Sequence, residues 1–214
     1  MASRLIIFDF DGTLADTFGE IVESVNAAQR EFSVSGADAE TVRSWIGYGL
    51  RFFMEQALGS TDAASVEAFT ATYKRLYRRI AFDRARLFDG VLGVLDALRD
   101  DVLAVASNKS EEQLVPMLER LNIRDRFSAV VGGDTAVAPK PDPVVFDAVM
   151  QSVSGPVDGC WMVGDSEPDI EFGRAIGAKT VGCLWGLRTR VELEAVEPDH
   201  IVGTRAELKT VLVK

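Results

Sequence analysis

The stretch Leu5-Ile6-Ile7-Phe8-Asp9-Phe10-Asp11-Gly12-Thr13-Leu14 indicates a buried β-strand that ends in two carboxylates. The first four residues are apolar and β-prone, and Gly12 ends the run sharply. Asp9 and Asp11 then project from the carboxyl end of the strand, where open α/β sheets bind their ligands. Side chains two residues apart on an extended segment lie on the same side, so both carboxylates can face one ligand.

Charge repulsion between Asp9 and Asp11 requires a cation or a proton nearby to offset it. Mg²⁺ suits the pair because it is a hard cation that prefers oxygen ligands. The structural alternative is a helix N-cap and a turn residue, which are common roles for Asp near Gly. The segment 9–14 favours the metal site, because five fixed residues in one window rarely recur by chance.

Three further segments carry polar side chains that suit a phosphate or a metal. Ser107 ends a short apolar run, and a hydroxyl beside turning backbone suits a phosphate oxygen. Lys140 lies between two prolines, which restrict the backbone and so aim its ammonium group. Another apolar run ends at Asp165, and Asp169 begins a helical stretch. Taken singly, Ser107, Asp165 or Asp169 could instead cap a helix, and Lys140 could be a solvated turn residue.

Together these four segments resemble the motifs of the haloacid dehalogenase superfamily, specifically its Mg²⁺-dependent phosphatases. The DxDGT segment, the strand-end serine, the lysine and the GDxxxD segment match all four family motifs, and the resemblance spans Leu5 to about Leu208. Segments 46–50 and 198–201 are most similar to the phosphoglycolate phosphatase branch. The resemblance implies an α/β fold, with a doubly wound, Rossmann-like parallel sheet core and an inserted all-helical cap domain.

The resemblance also implies a mechanism. Asp9 is expected to be the nucleophile that forms an aspartyl phosphate, and Asp11 to be the general acid and base. Mg²⁺ is expected on Asp9, the backbone carbonyl of Asp11 and Asp165, with waters completing the octahedron. Ser107 and Lys140 are expected to bind the phosphoryl oxygens as further parts of the catalytic set.

Other residues are expected to contact the substrate or to orient the catalytic groups. Gly12, Thr13 and Asn108 belong to the matched motifs and are expected to contact the substrate, and Asp169 is expected to orient the lysine or a metal-bound water. Arg51 is a candidate for the non-reacting end of the substrate. Its guanidinium can bind a carboxylate in bidentate fashion, as 2-phosphoglycolate would require. The alternative for Arg51 is an exposed helix arginine.

The order of predicted elements indicates an insertion. After Leu14 the pattern stays helical for about seventy residues, and from Leu87 short strands alternate with helices, as in a parallel α/β sheet. We therefore predict a core over residues 1–15 and 83–214 and a helical insert over 16–82. The family resemblance implies that this insert is a cap that closes over the site and excludes water. Helices within the cap are predicted near 38–45, 49–58 and 63–79.

Composition limits the partners. The chain has 214 residues and a net charge of −10, which disfavours nucleic acid and anionic membranes. No signal peptide or membrane span is expected, and Cys160 and Cys183 are expected to be buried free thiols, as in a reducing cytoplasm. The predicted protein is cytoplasmic, a monomer or homodimer, and acts on a small phosphorylated metabolite.

Several rival functions share parts of this pattern. A β-phosphoglucomutase-type phosphosugar mutase uses the same nucleophile, acid and metal, but its phosphoryl acceptor is a sugar phosphate. A haloacid dehalogenase is disfavoured because Asp11 is present, and a phosphonate hydrolase would need Lys74 as its Schiff-base lysine. A non-catalytic binding module is disfavoured because all four motifs are intact. The single histidine, His200, is expected in a surface turn, which argues against histidine catalysis.

Overall fold

A parallel α/β sheet dominates the computed structural model, which describes residues 3–213. Six strands form this sheet in an order equivalent to 3-2-1-4-5-6, the order of doubly wound dinucleotide-binding folds. The predicted fold class is therefore confirmed. The strands are β1 (Ser3–Phe8), β2 (Ala15–Asp16), β3 (Arg86–Leu87), β4 (Val102–Ala106), β5 (Ala129–Val131), β6 (Val157–Gly164), β7 (Lys179–Cys183) and β8 (His200–Val202), and the large sheet runs β5-β4-β1-β6-β7-β8.

Helices flank this sheet and also fill the interval between β2 and β3. A short 3₁₀ helix, Arg124–Arg126, precedes β5. The α-helices are α1 (Phe18–Glu31), α2 (Ala39–Trp45), α3 (Leu50–Leu58), α4 (Ala63–Ala81), α5 (Val91–Ala97), α6 (Glu111–Arg120), α7 (Val144–Ser152), α8 (Glu167–Ala175), α9 (Arg190–Ala195) and α10 (Arg205–Leu212).

Strand β1 lies at the centre of the sheet because both of its faces are apolar. Ile6 and Phe8 pack into one hydrophobic cluster, while Leu5 and Ile7 pack into a second. Alternation along a strand places these clusters on opposite faces of the sheet. Each of the four side chains is at most 1% exposed, and its burial contributes about 1.5–3 kcal/mol.

The helical insert comprises α1 to α4 and begins and ends at the antiparallel pair β2–β3. Phe32 and Phe69 meet edge to face there, with ring centroids 5.2 Å apart. The predicted helices are confirmed, with ends shifted by one or two residues. Asp38 and Asp62 explain two of the starts, because their side chains accept hydrogen bonds from the backbone N–H groups three residues on and so cap α2 and α4.

The proposed boundaries of the core and cap lie beside this two-stranded pair, in which Asp16 faces Arg86. The division itself stays a prediction, and residues 1, 2 and 214 of the predicted core lie outside the described residues. Cys183 is buried and Cys160 is half-buried, and both are free thiols. His200 begins edge strand β8 and stacks on Trp161; it is exposed at the surface as expected, but it lies in a strand and not in a turn. Among helices α1 to α10, none combines the length and apolarity needed to cross a membrane.

Candidate functional site

The register of the sheet brings three predicted site residues together. Phe8 is level with Val105 of β4 and with Val163 of β6, so these strands end at the same edge. The backbone N–H of Asp9 donates to the carbonyl of Val163 at 2.9 Å, which extends the pairing by one residue. Ser107 and Asp165 therefore flank Asp9, as the carboxyl ends of parallel strands require.

Lys140 joins these strand ends from the loop before α7. Its ammonium group lies 3.0 Å from Oδ1 of Asp9, 2.6 Å from Oδ1 of Asp169 and 2.5 Å from the carbonyl of Ala106. All three donors are used, and the residue is 2% exposed. Burial alone would lower the pKa of Lys140, but the charges of Asp169 and Asp9 outweigh it and raise that pKa. Lys140 is therefore a fixed cation beside Asp9.

Three buried carboxylates form a cluster at the same edge. Asp9, Asp165 and Asp169 each offer an oxygen, and these oxygens lie within 4.8 Å of one another. Burial raises the pKa of Asp9 to about 6, against the opposing effect of Lys140. Burial and the neighbouring charges of Asp169 and Asp9 also raise the pKa of Asp165 well above its usual value. The cluster therefore holds more negative charge than one lysine offsets.

Hydrogen bonds fix the orientation of Asp165 and Asp169, the two carboxylates that accompany Asp9 in the cluster. Asp165 accepts from the hydroxyl of Thr13 at 2.8 Å and from the backbone N–H of Leu187 at 2.6 Å. Asp169 uses one oxygen for Lys140, and its other oxygen accepts from the hydroxyl and N–H of Ser166 as part of the α8 capping box. Asp169 is thus positioned by the start of its own helix, whereas Asp165 is positioned by Thr13 and Leu187 from other parts of the chain.

Gly12 allows the backbone after β1 to approach Asp165 closely. Its φ of +80° lies in the left-handed region, and a Cβ atom there would be 2.3 Å from Oδ2 of Asp165. Gly12 and Thr13 therefore support Asp165 in this structure, whereas the sequence predicted contacts with the substrate.

Asp11 has partners that the sequence did not indicate. Its carboxylate lies 3.0 Å from Nζ of Lys109 and accepts from the hydroxyl of Thr17 at 2.6 Å. Lys109 also donates to the hydroxyl of Tyr77 at 2.9 Å, and its ammonium lies 4.2 Å from the centroid of that ring. Since Tyr77 belongs to α4, Lys109 connects Asp11 to the helical insert.

A cavity of about 60 Å³ opens beside these groups. The core contributes carboxylates, Ser107 and lysines, and the insert covers it with apolar side chains and the loop between α2 and α3. The lining residues are Asp9, Asp11, Ile21, Ile46, Gly47, Gly49, Leu50, Phe53, Tyr73, Ser107, Asn108, Lys109, Gln113, Lys140, Ser166, Asp169 and Leu187.

Asn108 holds the loop between α2 and α3 against the core. Its amide nitrogen donates to the carbonyl of Gly47 at 2.6 Å and to the carbonyl of Lys140 at 2.8 Å. Its amide oxygen accepts from the N–H of Lys140 at 2.8 Å. The side chain is therefore engaged with backbone on both sides of the cavity, which differs from the expected contact with substrate.

A buried arginine holds the same loop from the other side. Arg188 is 4% exposed and pairs with Glu167 at 2.7 Å. Its guanidinium donates to the carbonyls of Arg43 and Ile46, at 3.1 and 3.0 Å. In return, Arg43 donates to the carbonyl of Leu187 at 2.8 Å. Because the N–H of Leu187 donates to Asp165, the insert is linked through the backbone of Leu187 to a carboxylate of the cluster.

Arg51 is a predicted site residue that lines neither the cavity nor the carboxylate cluster. Its side chain is 73% exposed and pairs with Glu55, one helical turn away, at 2.8 Å. An i,i+4 carboxylate offers an arginine a local partner, which explains this placement. The expected contact between Arg51 and a substrate is therefore not supported by this structure.

Lys109, Arg188 and Gln113 are site residues that the sequence analysis did not identify. Lys109 had a usable signal, because it lies two residues after Ser107 and so near the same strand end. Arg188 had no comparable signal, since its binding partners Arg43 and Ile46 are distant in the chain.

Comparison with known proteins gives consistent matches. The family model described as haloacid dehalogenase-like hydrolase matches residues 6–183. A phosphoglycolate phosphatase of Agrobacterium fabrum is 32% identical, with 98% of this chain and 92% of that protein covered. One from Haemophilus influenzae is 31% identical, with 98% of each covered. A crystal structure described as a predicted phosphoglycolate phosphatase from Haemophilus somnus superposes with a TM-score of 0.87 at 25% identity, with 98% of each chain covered.

Proposed function

Because the chain belongs to the haloacid dehalogenase-like hydrolase family, we propose that it is a Mg²⁺-dependent phosphatase that hydrolyses a small phosphomonoester. The observation that carries this proposal is Asp9, a buried strand-end carboxylate held beside Lys140 and open to a cavity. Relatives 31–32% identical over nearly the whole chain are named phosphoglycolate phosphatases, so 2-phosphoglycolate is the first candidate substrate.

The donor set fits Mg²⁺. Asp9, Asp165 and Asp169 provide only oxygen ligands, and their charges are buried together. We assign the ion to Asp9, Asp165 and the backbone carbonyl of Asp11, the set that the family resemblance implies, and we assign Asp169 to the positioning of Lys140, which lies 2.6 Å from its Oδ1. When bound, Mg²⁺ would offset the carboxylate charge and stabilise the negative charge of the phosphoryl group.

The protein side chains supply the covalent and proton-transfer steps. A carboxylate oxygen of Asp9 attacks phosphorus, and the bond from phosphorus to the ester oxygen breaks as Asp11 gives that oxygen a proton. Asp11 then takes a proton from a water that attacks the aspartyl phosphate, which releases phosphate and restores Asp9. Ser107 donates to a phosphoryl oxygen, and Lys140, whose three donors are already used, stabilises the phosphoryl group through its charge in both steps.

The size and cover of the cavity favour a small substrate. Its volume of about 60 Å³ is far below the roughly 300–1,000 Å³ of ordinary ligand pockets. In this proposal residues 16–82 are a cap domain that opens at the β2–β3 pair to admit substrate and closes to exclude water. The protein acts in the cytoplasm as a monomer or homodimer, and the free thiols of Cys160 and Cys183 suit that compartment.

The test is phosphate release from a panel of phosphorylated metabolites in the presence of Mg²⁺. We expect turnover of small phosphomonoesters, including 2-phosphoglycolate. Asp9→Asn should lower kcat by several orders of magnitude, because an amide is a poor nucleophile. Asp147→Asn is the matched control, since Asp147 is exposed on α7. Near-normal turnover by folded Asp9→Asn protein, or no turnover of any panel member by the wild type, would overturn the proposal.

A further inference from the structure

Gln113 carries an unused hydrogen-bond donor inside the protein. The residue lies on α6 and is 9% exposed. Its amide oxygen accepts from the hydroxyl of Ser110 at 3.1 Å. Within residues 3–213, its amide nitrogen is the one buried side-chain nitrogen or oxygen without a hydrogen-bond partner.

The position of Gln113 suggests what could occupy that donor. Gln113 lines the same cavity as Asp9, Asp11 and Lys109, and it also borders a second cavity beside Phe82. Leaving a buried amide donor unpaired costs roughly 1–3 kcal/mol, and unpaired groups of this kind in folded proteins call for a specific explanation. A ligand oxygen in the cavity would remove that cost, whereas an apolar ligand would not.

We propose that Gln113 determines specificity by donating a hydrogen bond to an acceptor oxygen at the non-reacting end of the substrate. This inference rests on the proposed phosphatase function and narrows it to compact phosphomonoesters that carry such an oxygen, as a carboxylate does. Ser110 holds the amide oxygen, so the amide nitrogen is the polar atom of this side chain that is left without a partner.

The inference is tested with two substrates of similar size. 2-Phosphoglycolate has a carboxylate at its non-reacting end, and ethyl phosphate has a methyl group there. We expect the wild type to prefer 2-phosphoglycolate in kcat/KM, and Gln113→Met to reduce that preference by about tenfold or more, mainly through KM. Gln113→Glu should reduce it further, because an ionised carboxylate cannot donate and repels an anion.

Controls separate specificity from folding. Gln151→Met makes the same change at an exposed glutamine of α7, and we expect it to keep the wild-type preference. Thermal unfolding identifies which Gln113 variants are folded, and either folded variant suffices for the test. The inference on Gln113 alone is overturned if the wild type does not prefer 2-phosphoglycolate to ethyl phosphate in kcat/KM. It is also overturned if a folded Gln113 variant keeps this preference within twofold of the wild-type value. A wild type inactive on both substrates and on the metabolite panel overturns the phosphatase proposal with it.

Discussion

The ammonium group of Lys109 lies 3.0 Å from Oδ2 of Asp11, and the Lys109 side chain is only 4% exposed. Lys109 also donates to the hydroxyl of Tyr77 on α4. One lysine therefore links the proposed general acid to the proposed cap. A buried charge pair of this kind is sensitive to loss of either partner, because the remaining charge is left without compensation.

Replacing Lys109 by Met should lower kcat by about ten- to a hundredfold on a small phosphomonoester. Asp11 would lose a charge-assisted contact, worth roughly 1.5–3 kcal/mol, that fixes its position toward the substrate. Phosphate release under saturating substrate measures the effect. Lys209→Met is the control, since Lys209 is exposed on α10 and far from the site in sequence. Wild-type kcat in Lys109→Met would show that the contact does not position Asp11.

The sequence identified the residues whose placement follows from local rules. Asp9, Ser107 and Asp165 each follow an apolar strand, and parallel strands in register bring such ends to one edge. The fold class and the helices were predicted from the spacing of apolar residues along the chain, which is also a local rule. The orientation of each side chain within the site was not predictable from these rules.

Contacts between distant segments were beyond the sequence analysis. Lys109 and Asp11 are 98 positions apart, and Arg188 is 142 positions from Ile46, so no spacing indicates either contact. The substrate contact expected of Arg51 stays a prediction. The guanidinium of Arg51 suits an anionic substrate, but in this structure it pairs with Glu55, which lies one helical turn away.

Mg²⁺ should stabilise the folded protein and be required for turnover. The buried charges of Asp9 and Asp165 lack enough compensation, so an ion that binds only the folded state shifts unfolding to higher temperature. We expect millimolar Mg²⁺ to raise Tm by several degrees and EDTA to abolish phosphate release. Asp165→Asn should lose most of the Mg²⁺-dependent rise in Tm, whereas Asp147→Asn should keep it. Full activity in metal-free buffer would contradict the metal assignment.

Arg188 should control how firmly the loop between α2 and α3 closes the cavity. Arg188→Lys keeps the charge but loses the planar fork that reaches Glu167 and the carbonyls of Arg43 and Ile46. We expect KM to rise about tenfold and limited proteolysis to cut this loop faster. Arg190→Lys is the control, because Arg190 pairs with Glu194 at the surface. Unchanged KM and cleavage rate would mean that Arg188 does not govern closure.

Gly12→Ala should strongly lower activity by displacing Asp165, and Gly59→Ala is the control for the cost of backbone strain alone. Both Gly12 and Gly59 have positive φ, at +80° and +69°, so alanine at either position should cost about 1–2 kcal/mol of stability.

Only at Gly12 would the new Cβ meet a site residue, 2.3 Å from Oδ2 of Asp165, whereas at Gly59 nothing lies within 4 Å. Gly12→Ala must therefore displace Asp165, and we expect kcat/KM to fall at least a hundredfold with loss of Mg²⁺-dependent stabilisation. Gly59→Ala should lose stability alone. The measurements are Tm with and without Mg²⁺ and phosphate release. Equal activities in the two variants would contradict the claim that Gly12 is required for the position of Asp165.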